Sequence, residues 1–514
     1  MVGRTLMIQG TSSSSGKSLI TAALCRLLAR RGVRVAPFKA QNMSNNSAVC
    51  DDGAEIGRSQ ALQARAAGVA PCSDMNPILL KPEAETRSQV IVNGRVWKTL
   101  SPRAYFDCKQ ELWPVVTAAL GRLRAKYDVV VIEGAGSPAE LNFHGIEIVN
   151  MAVARHAQAP VLLVGDIERG GVFAQLLGTL WLLPPADQRL VRGLVVNKFR
   201  GDRSLFDSGR SLLAERGGVP VLGVIPWSAG LDLPEEDSAT LDRQPWREAD
   251  SESLEIAVIR FPHVSNFDDV APLLSAPGVR VRYVISGDRL GNPDAVILPG
   301  TKSTVADFLW LLQTGLAERI IALAGRGAQI AGICGGFQMQ GRTILDPQRI
   351  ESESGSIEGL GLLPITTEFR SPKQTSQMRG QVTNDSHCPG AAGSLIQGYE
   401  IHLGRSCGGT PWLRLERPGA EPRAGGAVSD DGRVWGCYVH GLFGNDQFRT
   451  RWLKNLRGQH RELVARSESA ESPGSIYEDQ IEQSLDRFAD TVEQSLDMAA
   501  IENLIWPERK TKHV

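Results

Sequence analysis

Two groups of residues have the types and spacing that chemistry needs. The first is Ala331-Gly332-Ile333-Cys334-Gly335-Gly336-Phe337-Gln338. An apolar run ends at a cysteine set between glycines, and a helix-like segment follows. A turn that sharp accepts only residues without a Cβ on either side, the arrangement of a nucleophile elbow. The helix N-terminus favours the thiolate, and the Gly335 N–H is placed to hold an oxyanion. Gly300, after the strand-like Ala295 to Leu298, supplies the second donor from a neighbouring strand end. A thiol nucleophile needs a base. His440 ends a short apolar strand in Gly436-Cys437-Tyr438-Val439-His440-Gly441, the one histidine of eight so placed. His402, in Gly398-Tyr399-Glu400-Ile401-His402, is the alternative, in a stretch that reads as structural or interface-forming.

The second group is Gly10-Thr11-Ser12-Ser13-Ser14-Ser15-Gly16-Lys17-Ser18, between an apolar strand and an amphipathic helix. Strand, Gly/Ser loop and helix is the setting of a phosphate loop, whose N–H groups and helix dipole cradle phosphates. Thr11 and Gly16 shape the loop, Lys17 reaches the β/γ-phosphates of ATP, and the Ser18 hydroxyl binds Mg²⁺. Five residues separate Gly10 from Gly16, where four are usual. Glu133, at the end of Tyr127 to Ile132, is a further Mg²⁺ ligand. Asp166 and Asn197 also end strands, and Asn197 is placed to read the nucleotide base. The amide-rich loop Lys39 to Ser47 suits an anionic, multiply polar substrate. Lys39, Asn42, Asn45 and Arg58 are its expected contacts, with Asp52 beside Asp51 and Glu55 as an additional metal ligand.

Near-continuous apolar runs alternating with helices position both groups, which indicates parallel sheets covered on both faces. Ligands bind at the carboxyl ends of such strands. The expected fold is α/β, with two doubly wound, mostly parallel-sheet domains and a helical tail. The expected bounds are 1–230 for the phosphate-loop domain, 231–253 for an acidic linker, 254–446 for the cysteine domain and 447–514 for the tail. In the tail, Ile481, Leu485, Phe488, Val492 and Leu496 make one apolar helix face. It is expected to pack on the second domain, with a homo-oligomer contact as the alternative.

Formal net charge over 514 residues is −1, which argues against nucleic-acid and membrane-surface partners. Eight scattered cysteines without a Cys-x-x-Cys pair fit a reducing cytoplasm and argue against a zinc site.

The loop and Glu133-Gly134-Ala135-Gly136 resemble the dethiobiotin synthetase-like ATPases, which activate carboxylates with ATP. Phe38 to Asn46 and Glu55 to Gln60 are similar to the cobyric acid synthase family. Cys334 and His440 resemble the pair of class I glutamine amidotransferase domains. The resemblance, over residues 3–445, implies a two-site ligase. Cys334 and His440 release ammonia from glutamine, and ATP·Mg²⁺ on Lys17, Ser18 and Glu133 activates a carboxylate. The implied substrate is a corrinoid polycarboxylate, adenosylcobyrinic acid a,c-diamide, amidated at b, d, e and g. Class I domains commonly carry Glu two residues after the histidine, but Leu442 stands here. The resemblance therefore implies a Cys–His dyad, with His440 oriented by another group or by backbone. Alternatives are the same chemistry on another acid, a partitioning-type ATPase switch, and a non-catalytic glutamine sensor.

Overall fold

The computed structural model describes residues 2–84, 86–143, 147–231, 233–234, 253–352, 354–383, 391–463 and 477–507. Most of the expected linker lies outside them.

The first domain is built on β1 (Arg4–Gly10), α1 (Lys17–Arg30), β2 (Val35–Phe38), α2 (Arg58–Ala66), β3 (Val129–Glu133), β4 (Val161–Asp166), β5 (Val191–Phe199) and β6 (Val221–Pro226). The sheet order is β6-β5-β4-β1-β3-β2, all parallel. β3 and β4 are buried throughout, as Val/Leu/Ile-rich strands covered on both faces must be. The chain leaves β1 toward one edge and returns to build the other, so β1 and its neighbours frame the crevice where such folds bind ligands.

The second sheet holds β7 (Leu254–Ile259), β8 (Val279–Val284), β9 (Ala295–Leu298), β10 (Gln329–Ile333), β11 (Ala427–Val428) and β12 (Val434–Cys437), ordered β8-β7-β9-β10-β12-β11. It is parallel except at β11. Its core is aromatic, with Trp412, Trp435 and Trp452 fully buried.

The tail departs from expectation. Helix Asp446–Leu463 joins the second core through Phe448 and Trp452. The helices after it, α3 (Tyr477–Ser495) and α4 (Met498–Ile505), return to the first domain. Ile481, Leu485, Phe488, Val492 and Leu496 pack with Leu24 and Leu28 of α1 and Ile8 of β1. The apolar stripe was legible, and ion pairs run along the flanks of the seam it makes. Arg26, Arg30, Arg31 and Arg65 meet Glu482, Asp486, Asp490 and Glu493 along the flanks. That face is therefore covered within the chain, not by a second copy or the second domain.

Candidate active site

β10 delivers Cys334 into a turn too tight for ordinary backbone. Its φ is 53°, a region L-residues rarely occupy. A Cβ on Gly336 would sit 2.0 Å from the Leu298 carbonyl oxygen, so only glycine lets the elbow press against β9. Gly335 and Gly300 converge beside the thiol. A Cβ on Gly335 would lie 3.3 Å from the Thr301 nitrogen, and one on Gly300 would lie 2.9 Å from His440 Cε1. The Gly300 loop is tied by Lys302 N to the His263 carbonyl (2.9 Å) and by the Thr301 hydroxyl to Asp307. His440 is buried with its charge felt by Cys334, whose thiol donates to the Ile401 carbonyl oxygen at 3.4 Å. His402 is not at this centre. Its ring stacks on Tyr438, and its Nδ1 meets the Gly404 carbonyl at 3.0 Å.

Nothing in the sequence marked the group that orients His440. Asp269 Oδ2 lies 2.7 Å from His440 Nδ1, while Oδ1 accepts the Gly441 N–H at 2.7 Å. Burial alone would push the imidazole pKa down, but the Asp269 carboxylate and the Cys334 contact raise it to about 10. Asp269 thus stands where the sequence left the group orienting His440 open. Asp269 belongs to the one-turn helix Phe267–Val270 that follows β7. The available signal was a carboxylate just past the carboxyl end of the unit's first strand.

In the first domain, Ser14 (φ 58°) and Gly16 (φ 99°) absorb the extra loop residue. Lys17 Nζ bonds the carbonyls of Ser12 (2.8 Å) and Gly136 (3.1 Å). Ser18 Oγ donates to Glu133 Oε1 at 2.8 Å. Thr11 Oγ1 bonds Gln175 at 3.1 Å. Asn197 Nδ2 donates to the Ser15 carbonyl at 2.9 Å, so this amide braces the loop itself. Lys39, expected in an open substrate loop, is buried and paired with Glu133 at 2.8 Å. Gln63 Nε2 adds a bond to the other oxygen of Glu133 at 2.5 Å. Burial would raise the Glu133 pKa, but the Lys39 ammonium and the bonds from Lys39, Gln63 and Ser18 hold it below the usual carboxylate range.

Three expectations need correction. Asp52 is exposed at the turn between the short strands Ser47–Val49 and Glu55–Gly57, where it accepts the Ala54 N–H. The turn carries it to the surface, so it does not join Ser18 and Glu133. Asn42 is buried and donates to Gln60, bracing α2 rather than facing a ligand. Arg58 turns out of the loop altogether and ion-pairs with Asp268 of the second domain at 3.0 Å. Asn45 is half-buried, and its Oδ1 has no hydrogen-bond partner among the described residues.

The domains meet over a buried polar cluster. Glu55 pairs with Lys81 of its own domain and Lys373 of the other, each at 2.7 Å. Burial would raise the Glu55 pKa, but the two lysines hold it far below the usual range. Burial and neighbouring lysines push Lys373 down to about 8, with Glu55 opposing the fall. Lys302 pairs with Glu83 nearby at 2.7 Å.

Residues 6–241 match the CobQ/CobB/MinD/ParA nucleotide binding domain family, and residues 255–448 match the CobB/CobQ-like glutamine amidotransferase domain family. A nucleotide-binding domain fused to a domain that takes nitrogen from glutamine defines a glutamine-hydrolysing carbon–nitrogen ligase. Cobyric acid synthase of Chloroflexus aurantiacus is 50% identical, covering 98% of this chain and 100% of its own. That of Sorangium cellulosum is 48% identical, covering 99% and 100%, and that of Dehalococcoides mccartyi strain CBDB1 is 46% identical, covering 97% and 98%. The chain belongs to the cobyric acid synthase family, ATP-using ligases of cobalamin biosynthesis. Among the described residues no single helix is long and apolar enough to cross a membrane.

Proposed function

We propose that the two centres share one nitrogen atom. Cys334 attacks the side-chain amide carbon of glutamine. The amide oxygen becomes an oxyanion held by N–H groups at Gly335 and Gly300. His440, fixed by Asp269, takes the thiol proton and returns it to the leaving ammonia. Water then cleaves the glutamyl thioester to glutamate.

In the first domain, the loop Thr11 to Ser18 holds the ATP phosphates, with Lys17 against the β/γ-phosphates and the Asn197 carbonyl oxygen toward the base. The buried Ser15 hydroxyl, which has no hydrogen-bond partner among the described residues, suits a phosphate oxygen, and Gly10, where a Cβ would lie 2.2 Å from Ser15 Oγ, lets the loop close around it. Ser18 and Glu133 present oxygen donors side by side, a set that suits Mg²⁺. When bound, Mg²⁺ neutralises phosphate charge. Lys39, released from Glu133, steadies the transferred phosphoryl group. A substrate carboxylate attacks the γ-phosphorus, ADP leaves, and ammonia displaces phosphate from the acyl phosphate to give the amide. The substrate is adenosylcobyrinic acid a,c-diamide, amidated at b, d, e and g to adenosylcobyric acid, with Asn45 among its contacts.

The observation carrying this reading is Cys334 beside His440 and Asp269 in one domain, with Ser18 and Lys39 on Glu133 in the other. Cys334→Ala is expected to abolish glutamine-dependent amidation yet keep turnover with ammonium, and Lys17→Ala to lose both. Loss of ammonium-dependent turnover in folded Cys334→Ala refutes the division of labour.

A further inference from the structure

The turn Asn266–Asp269 is held from the other domain at nearly every residue. Asn266 Oδ1 accepts the Ser47 N–H (3.2 Å), and the Phe267 N–H donates to Asn46 Oδ1 (3.3 Å). Asp268 takes the Arg58 guanidinium at 3.0 Å. The fourth residue, Asp269, holds His440. Arg58 also reaches the far side of the imidazole. Its guanidinium bonds the Tyr399 hydroxyl and lies 5.2 Å from that ring's centroid. Tyr399 stacks on His440, centroids 5.3 Å apart and planes 17° apart, and the two residues exchange backbone hydrogen bonds of 2.9 and 3.2 Å.

We infer that Arg58, a side chain of the nucleotide-binding domain, is a positioning residue for glutamine cleavage in the other domain, acting on the His440 imidazole through Asp268–Asp269 and Tyr399. The inference rests on the reading of Cys334 and His440 given above. The physics is local. Asp268 and Asp269 are adjacent carboxylates, the first half-buried and the second buried, and like charges so placed repel unless a cation balances them. Arg58 is that cation, and it is half-buried beside them. Without it, Asp268 turns toward the imidazole and competes with Asp269 for Nδ1, while Tyr399 loses a hydroxyl anchor. The same nine-residue helix, α2, carries Gln63 onto Glu133. One element therefore touches the supports of both centres.

The test compares three rates in Arg58→Met: glutamate release, glutamine-dependent amide formation and ammonium-dependent amide formation. Glutamate release at saturating glutamine is expected to fall at least about tenfold, with KM for glutamine within about threefold, the signature of lost transition-state geometry. Glutamate and amide should fall together, so their ratio holds, and ammonium-dependent turnover should stay within about twofold. Arg58→Met/Asp268→Asn, which also removes the uncompensated carboxylate, should recover most of the loss and covers the case in which the single variant folds poorly. Continued glutamate release with falling amide would show that Arg58 only seats the domains. Loss of ammonium-dependent turnover would return it to the carboxylate site. No recovery in the double variant would deny the charge argument. Each result overturns the inference. A Cys334→Ala enzyme that still used glutamine would instead overturn the reading beneath it.

Discussion

Asp269→Asn tests the geometry of the cysteine centre most directly. The substitution keeps the shape and lets the remaining carbonyl oxygen accept the Gly441 N–H, a bond of 2.7 Å in the parent. The new amide then turns its NH₂ toward His440 Nδ1. That nitrogen must become an acceptor, the proton moves to Nε2, and the face toward Cys334 can no longer take the thiol proton. Burial pushes the parent imidazole down, yet the Asp269 carboxylate and the Cys334 contact hold it at about 10, so the substitution removes the main support of the imidazolium. The wrong tautomer adds to this, as the same change in serine triads costs about 10⁴ in kcat. Glutamate release is therefore expected to fall about 10²–10⁴-fold, with ammonium-dependent amidation unchanged. Stability should follow suit. A pKa raised in the fold stabilises fully below pH 6.5 and loses that contribution as pH rises through about 10. The gap in thermal unfolding between parent and Asp269→Asn should narrow across that window. Glutamine use within about threefold of the parent, or a gap that widens with pH, would refute the assignment.

Gly336→Ala drives a Cβ into the Leu298 carbonyl oxygen at 2.0 Å; a loss of about 3 kcal/mol and of glutamine use is expected, read by denaturant titration and glutamate release. Glu55→Gln leaves Lys81 and Lys373 buried without their carboxylate. A cost of about 3–5 kcal/mol should appear in urea unfolding, with glutamine-driven amidation falling further than ammonium-driven. Phe488→Ala empties the seam between α1 and α3 and should cost about 3–5 kcal/mol in the unfolding of the first domain.

Both sheets were legible because buried parallel strands read as unbroken apolar runs. The elbow was legible because only glycine survives around Cys334. What stayed hidden was direction. Loop composition reported that residues 39–58 are polar, not which way each side chain points, so Arg58 was read into a substrate pocket and Asp52 into a metal site. Asp269 lies 171 residues before its histidine, and no local pattern links the two. The stripe on α3 declared that it needed a cover, but the helices whose arginines flank that cover lie more than four hundred residues away.

The return of α3 and α4 to α1 has a consequence for how the chain is made. The first domain leaves the ribosome with the apolar side chains of its phosphate-loop helix that meet α3 uncovered. Their cover is encoded roughly 250 residues after β6, a wait on the order of tens of seconds at ordinary translation speeds. The opening domain is thus the last to be finished, and a chain cut short after the cysteine domain would carry an oily scar on the very helix that presents Lys17.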